Sequence, residues 1–384
     1  MIIGYDGKRA TGNMTGLGNY SRLVIEEVGR HYPEDKLLIY TPKPSDNPRL
    51  NSIRELDNVE FRYPSPQGLK GSLWRTFGIT NNLRPDKVEI FHGLSNELPL
   101  NIRSSRIPSI VTMHDVIYRR LPWCYRPFDR WMYDYKYGHS CRNADHIIAV
   151  SERTKEDVVE LYGINPEKIT VIYQGCDPQF RRQVTPEETE EIKKLYKLPQ
   201  RYLLQVGTIE KRKNLELTVR ALNGISPDMS LVVVGRDHHG YKSYIQNLAA
   251  QLGVEHRIIY LEGLPFNHLP ALYTGAEVVV YPSLYEGFGI PVIEALECAR
   301  PVVAATGSCL EEAGGPDTLY VDPKDPNDMV QAVHAILRDP ASARQMGLAG
   351  RDYVKRFRSE NMAPRLMDLY RKVITNFNPA NHPK

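Results

Sequence analysis

Short aliphatic runs return at intervals along this chain, and between them lie longer stretches whose apolar residues recur at helical spacing. In the first half the runs are Met1 to Tyr5, Leu37 to Tyr40, Val88 to Phe91, Ile110 to Met113, His146 to Val150 and Ile169 to Ile172, with a helix-like stretch at Leu17 to Val28. The second half repeats the plan with Tyr202 to Val206, Leu231 to Val234, Ile258 to Leu261, Val278 to Tyr281 and Val302 to Ala304. Continuous apolar runs bounded by turn residues predict strands buried on both faces, and their alternation with helices predicts parallel sheets covered by helices. Between the halves, Gln174-Gly175-Cys176-Asp177-Pro178 and the charged stretch Arg181 to Lys194 predict a hinge, with the boundary near residue 183. Near the end, Met362, Leu366, Leu369 and Val373 mark an amphipathic helix, and the tail from Asn376 to Lys384 is expected to fray.

At 384 residues the chain exceeds one comfortable core and suits two α/β domains. A net charge of +3 gives no reason to expect a nucleic-acid partner. The 5 cysteines include no C-x-x-C pair, so neither a zinc site nor a disulfide framework is indicated and a reducing cytoplasm is the expected location. The N-terminus runs straight into a strand without the regions of a signal peptide, and no apolar run approaches a membrane span. Any membrane contact is therefore expected to be peripheral.

Candidate chemistry gathers where strands end, the edge at which open α/β sheets bind ligands. After the run ending at Tyr281, the stretch Glu286-Gly287-Phe288-Gly289-Ile290-Pro291-Val292-Ile293-Glu294 places one carboxylate in a loop and another in the first turns of a helix opened near Pro291. Gly287 and Gly289 let the backbone approach a ligand, and amides at the helix start suit a diphosphate. A carboxylate accepting two hydrogen bonds suits the vicinal diol of a ribose or hexose. The alternative is a plain strand-turn-helix with one exposed and one capping glutamate. Gly16-Leu17-Gly18 opens a helix after the first strand, but the second strand lacks the terminal acid of a dinucleotide site, which disfavours an oxidoreductase. Gly16 and Leu17 read instead as backbone amides near a diphosphate and acceptor, or as a simple tight turn. Gly235-Arg236 and the loop around Leu264 are the expected walls for a nucleobase. Asn96 and Glu97 stand past another strand end as acceptor-side candidates. In the segment Tyr118 to Tyr137, beginning with Tyr118 and Arg119, aromatics and arginines interleave, which suits a lipid surface or lipid-linked acceptor, or ordinary packing on the sheet.

The stretch EGFGIPVIE resembles the Glu-x7-Glu signature of the retaining glycosyltransferases of family 4, which have the GT-B fold: α/β, two Rossmann-like domains facing across a cleft. The resemblance continues through Thr15 to Gly18, His114-Asp115, Val206 to Asn214 and Val234-Gly235, covering nearly the whole chain. It implies an N-terminal acceptor-side domain over 1–183, a C-terminal nucleotide-sugar-binding domain over 184–358, and a segment 359–384 whose helix crosses back to the first domain. It also implies that Arg212 and Lys213 neutralise the leaving diphosphate, that His114 contacts the transferred sugar, that Glu286 positions that sugar and that Glu294 holds the ribose. Gly235, Arg236, Leu264, Gly287, Phe288 and Gly289 complete the expected donor site. With no D-x-D pair in the sequence, cations rather than a metal are expected to balance the diphosphate, and no cofactor is expected. The implied reaction is hexose transfer from a nucleoside diphosphate sugar, GDP-mannose by preference, to a saccharide or lipid-linked saccharide. Rival readings on the same scaffold are a sugar-nucleotide epimerase, a phosphorylase or a non-catalytic sugar-nucleotide binding subunit.

Overall fold

The computed structural model describes residues 1–65, 68–69 and 71–382. The chain divides into two compact units, one formed by Met1–Gln174 with Phe357–Lys384 and the other by Gly175–Arg356. Among the described residues, no helix is long and apolar enough to cross a membrane.

The first unit is built on a parallel sheet of β1 (Ile2–Asp6), β2 (Lys36–Tyr40), β3 (Val59–Arg62), β4 (Ile90–Gly93), β5 (Ser109–Met113), β6 (His146–Ala149) and β7 (Ile169–Val171), in the order β3-β2-β1-β4-β5-β6-β7. Because successive side chains in a strand point to opposite faces, an aliphatic run feeds two cores. Leu37 and Ile39 enter one, with Val24, Ile25 and Val28 of the helix Gly16–His31. Leu38 and Tyr40 enter the other, with Trp74, Phe91, Val111 and Met113. The closing helix Met362–Asn376 buries Met362, Leu366, Leu369 and Val373 in the first of these cores, so the last residues of the chain fold with its beginning.

The second unit has β8 (Tyr202–Val206), β9 (Ser230–Val234), β10 (Ile258–Leu261), β11 (Val278–Tyr281), β12 (Val302–Ala305) and β13 (Leu319–Val321), all parallel, in the order β10-β9-β8-β11-β12-β13. In both sheets the direction of strand addition reverses beside the first strand, between β1 and β4 and between β8 and β11. Each reversal opens a crevice at the carboxyl ends of the two strands.

The expected boundary near residue 183 is corrected to Gln174–Gly175. Residues past Gly175 already pack in the second unit: Phe180 is fully buried with its ring 5.7 Å from Tyr273 and 5.8 Å from Phe266. The charged stretch expected in the hinge folds as the helix Pro186–Leu195. Thr185 caps it, accepting the Glu188 N–H through its hydroxyl, and the Thr-x-x-Glu spacing is the sequence mark of such a start. Strands β3 and β13 escape the apolar pattern because both lie at sheet edges, where half-burial permits Glu60, Arg62 and Tyr320.

Candidate active site

In the second unit the loops after β8 and β11 are stitched together by backbone groups before any side chain meets a ligand. Gly207, at φ 148°, turns the chain out of β8, and a Cβ on Gly235 would stand 1.8 Å from the Gly207 carbonyl oxygen. Gly235 is therefore required by contact between the loops after β8 and β9. Asn214, in the left-handed region at φ 55°, donates from Nδ2 to the carbonyls of Pro282 and Pro323 at 3.1 and 2.8 Å. The Leu284 N–H donates to the Arg212 carbonyl at 2.9 Å.

This stitching brings Arg212, Lys213 and Glu286 together. Glu286 is 8% exposed, and its Oε1 accepts from Lys213 Nζ at 2.6 Å, from Arg212 at 2.8 Å, from the Tyr281 hydroxyl at 3.1 Å and from the Ser283 hydroxyl. Lys213 also donates to the Tyr281 hydroxyl at 2.6 Å. Burial alone would raise the Glu286 carboxyl, but Arg212 and Lys213 outweigh it and draw its pKa down to about 2. Burial, with Arg212 beside it, pushes the Lys213 ammonium below its ordinary range while Glu286 holds it charged. Arg212 is held further by the Tyr285 carbonyl at 2.9 Å and by Glu210 at 2.7 Å. These four donors meet at one oxygen of Glu286, Oε1.

Glu294 lies on the helix Ile290–Glu297, which begins at Gly289 (φ 104°) without a side-chain cap. A Cβ at Gly289 would come within 2.7 Å of Leu310, so glycine fits both the conformation and the space. Glu294 is 8% exposed and accepts from the Tyr273 hydroxyl at 2.7 Å. Burial pushes its carboxyl up to about 7; Asp177 adds to this and the Tyr273 hydrogen bond opposes it. Among the described residues it has no hydrogen-bonding partner in common with Glu286. Phe288 is buried at 3% exposure, so its side chain fills the core. Arg236 is exposed, while Gly235, Leu264 and Gly287 are half-buried.

In the first unit, His114 follows β5 and is 6% exposed. Its Nε2 donates to the Leu94 carbonyl at 2.9 Å, which leaves Nδ1 as the unprotonated nitrogen. Burial lowers its pKa to about 4, with Arg9 adding to the effect, so the ring is neutral at physiological pH. The His114 N–H donates to Asn96 Oδ1 at 2.6 Å. Asn96 is buried at 2% and held at φ 61°; the expectation that it faces an acceptor is corrected, since its amide braces the His114 loop. Glu97 pairs with Arg75 at 2.6 Å and with Lys136 at 3.5 Å, and Arg75 pairs with Asp6 at 2.7 Å. Tyr118 is buried at 3% exposure, and its hydroxyl meets Asp134 and Tyr162. Arg119 pairs with Asp134, donates to the Leu161 carbonyl and lies over the Tyr162 ring. Gly16 and Leu17 are the first residues of the helix Gly16–His31, whose N-cap Thr15 makes no side-chain capping bond.

Two family profiles match in succession: residues 23–180 match "Glycosyltransferase Family 4" and residues 187–353 match "Glycosyl transferases group 1". The chain belongs to the group 1, family 4 glycosyltransferases. It is 29% identical over 294 residues to the O-antigen chain mannosyltransferase B of Escherichia coli, covering 75% of this chain and 76% of that one. It is also 29% identical to the O-antigen chain mannosyltransferase RfbU of Salmonella typhimurium, covering 58% of each chain. Among solved structures, Anabaena HepE in complex with UDP and glucose superposes with a TM-score of 0.78 at 17% identity, over 97% of this chain and 100% of that one. Sucrose-phosphate synthase of Thermosynechococcus elongatus superposes with a TM-score of 0.78 at 21% identity, over 98% and 99%. These likenesses establish the two-domain α/β GT-B fold.

Four side chains of this glycosyltransferase escape the sequence reading. Tyr281 and Ser283 complete the hold on Glu286, Tyr273 holds Glu294, and Glu210 pairs with Arg212. Tyr281 is the last residue of β11, so its strand-end position was the available signal. Tyr273 had none, because it lies on the separate helix Leu269–Gly275 and meets Glu294 only through the fold. His92, another strand-end residue, is wholly buried between the Tyr370 hydroxyl at 2.7 Å and the Thr112 hydroxyl at 2.8 Å, and serves the core.

Proposed function

We propose that this glycosyltransferase moves a hexose, with its anomeric configuration retained, from a nucleoside diphosphate sugar to a hydroxyl of a saccharide or lipid-linked saccharide in surface polysaccharide synthesis. The observation that carries the reading is the convergence of Lys213, Arg212, Tyr281 and Ser283 on a single oxygen of Glu286. A carboxylate so held is fixed in position and charge, and its second oxygen is the one that would accept a sugar hydroxyl. Glu286 then positions the sugar, while Arg212 and Lys213 face the charge that grows on the departing phosphate oxygen as an oxocarbenium-like centre develops. That oxygen takes the proton of the incoming hydroxyl. Neutral His114 presents Nδ1 as an acceptor for a sugar hydroxyl, and Glu294 holds the ribose diol. The two cations supply the balance of charge that a metal would otherwise give. GDP-mannose is the preferred donor because mannosyltransferases recur among the relatives.

The test is thermal-shift screening with GDP, UDP and their sugars, followed by NMR of products formed from GDP-mannose and saccharide acceptors. A glycoside keeping the donor's anomeric configuration is expected, formed without added metal. Consumption of donor alone points to an epimerase, phosphate-dependent consumption to a phosphorylase, and binding without turnover to a binding subunit; each overturns the reading.

The helix Pro127–Asn143 supports a peripheral membrane contact at the cytoplasmic face. Phe128, Trp131 and Tyr135 stand 68, 66 and 52% exposed with their rings in a row, and Trp123 precedes them at 52%. Arg126 and Arg130 are exposed beside them, with no side-chain partner among the described residues. Amphipathic aromatics next to unpaired guanidinium groups suit an anionic lipid surface. Co-flotation with phosphatidylglycerol vesicles is expected to fall in Trp131→Ala and Arg130→Ala. Equal flotation with neutral vesicles would contradict the contact.

A further inference from the structure

The first unit contains a cavity of about 510 Å³ at the carboxyl ends of β1 and β2, lined by the segments that follow each strand. That volume is within the range of small-ligand sites, and the end of the sheet is where α/β folds bind them. Its charge is uneven. Lys8, Arg9 and Lys43 line it against one carboxylate, Asp46. Among the described residues none of the three cations makes an ion pair, whereas Arg75 nearby pairs with both Glu97 and Asp6. Arg9 is half-buried, and its Nε is shut off from solvent with no hydrogen-bond partner. A buried guanidinium nitrogen left unpaired is costly unless a ligand meets it. Half-buried Lys8 is held below the ordinary ammonium range by burial and by Arg75, which outweigh the opposing carboxylates of Glu97 and Asp6. The charge of Arg9 also reaches His114, which connects the cavity with the proposed sugar-contacting ring.

We propose that this cavity is the acceptor subsite, and that the acceptor saccharide carries an oxyanion, phosphate or carboxylate, which Arg9 and Lys8 bind. The inference rests on the reading as a glycosyltransferase of saccharides and adds the class of acceptor. Arg9 provides the planar fork that matches either oxyanion, and Lys8 and Lys43 provide point charges. A neutral sugar in the same place would leave these cations unanswered.

Calorimetric titration of the full chain, first saturated with GDP or UDP, distinguishes the possibilities with mannose, mannose 6-phosphate and glucuronate as probes. Binding of at least one anionic probe about tenfold tighter than mannose is expected, and the stronger of the two identifies the oxyanion. Arg9→Ala with Lys8→Ala should abolish that preference, and exposed Lys43→Glu should reduce it in a chain whose fold the change does not touch. Nucleotide binding should be unchanged in both variants. Equal affinity for mannose and both anions, or anion binding that survives the double variant, overturns the inference while leaving the donor site intact. Failure of GDP and UDP to bind the unaltered protein would instead defeat the reading of the second unit.

Discussion

The most informative perturbation is Glu294→Gln, because it removes one titration and little else. The folded protein holds this carboxyl at about 7 against an ordinary value of 4.5. Below 4.5 the group is protonated whether the chain is folded or not, and burial costs nothing. As pH rises from 4.5 to 7 the unfolded chain releases its proton first, so the folded state loses stability relative to it; above 7 the loss is complete. At about 1.36 kcal/mol per pKa unit the full effect is about 3 kcal/mol. Buried His92, His114 and His146 all have lowered pKa values and act in the opposite sense, but they are common to both proteins and cancel in the difference. Urea unfolding followed by far-UV circular dichroism, from about pH 5 to about pH 8, should show the variant gaining stability on the parent by roughly this amount. All 3 tryptophans, Trp74, Trp123 and Trp131, lie in the first unit, so their fluorescence separates its unfolding from that of the unit holding Glu294. A difference that stays flat with pH would refute the buried, proton-binding state of Glu294.

Three further outcomes follow from the geometry. Lys213→Ala should lower turnover by about 10²- to 10³-fold, whereas Glu294→Ala should chiefly raise the donor Michaelis constant; equal small effects in steady-state kinetics would contradict both roles. Tyr370→Phe removes the hydroxyl that meets His92 Nδ1 and Tyr5, which should cost about 1–3 kcal/mol in tryptophan-detected unfolding, and an unchanged midpoint would show that the buried link carries no stability. Glu210→Gln frees Arg212 from one of its two carboxylates and should tighten GDP or UDP binding by a small factor, about that of a partly exposed ion pair at 0.2–1 kcal/mol; unchanged calorimetric affinity would exclude Glu210 as a competitor for the phosphate.

The strands were legible because a parallel strand covered on both faces is apolar at most of its positions, and such runs stand out. The edge strands β3 and β13 were not, since half-exposed positions carry Glu60, Arg62 and Tyr320 without penalty. The same logic governs the site. Arg212, Lys213 and Glu286 follow β8 and β11, the strands that flank the second unit's crevice, and His114 follows β5. Asn96 and Tyr118 follow the same pattern yet turn inward, while part-exposed Arg119 is tied to Asp134, because a position after a strand does not say which way a side chain faces. Asn96 needs a left-handed backbone to aim its amide at the His114 N–H, and only the folded loop reveals that. Partners on other elements, such as Tyr273 for Glu294, leave no trace in local pattern.

The charges of the second unit's cluster bear on how a donor would enter. Arg212 and Lys213 are answered in the ligand-free protein by Glu286 and Glu210, so the group as a whole is close to neutral. An uncompensated pair of cations, one of them largely buried in Lys213, would be expensive to hold ready. With Glu286 drawing its partners to one oxygen, the fold fixes both cations in place at small cost. On the proposed reading, an arriving diphosphate would share Arg212 and Lys213 with the Glu286 carboxylate. Such an arrangement stores little repulsion before binding, and cations already held in place are what a preorganised site needs to stabilise charge on a leaving oxygen without reorganisation.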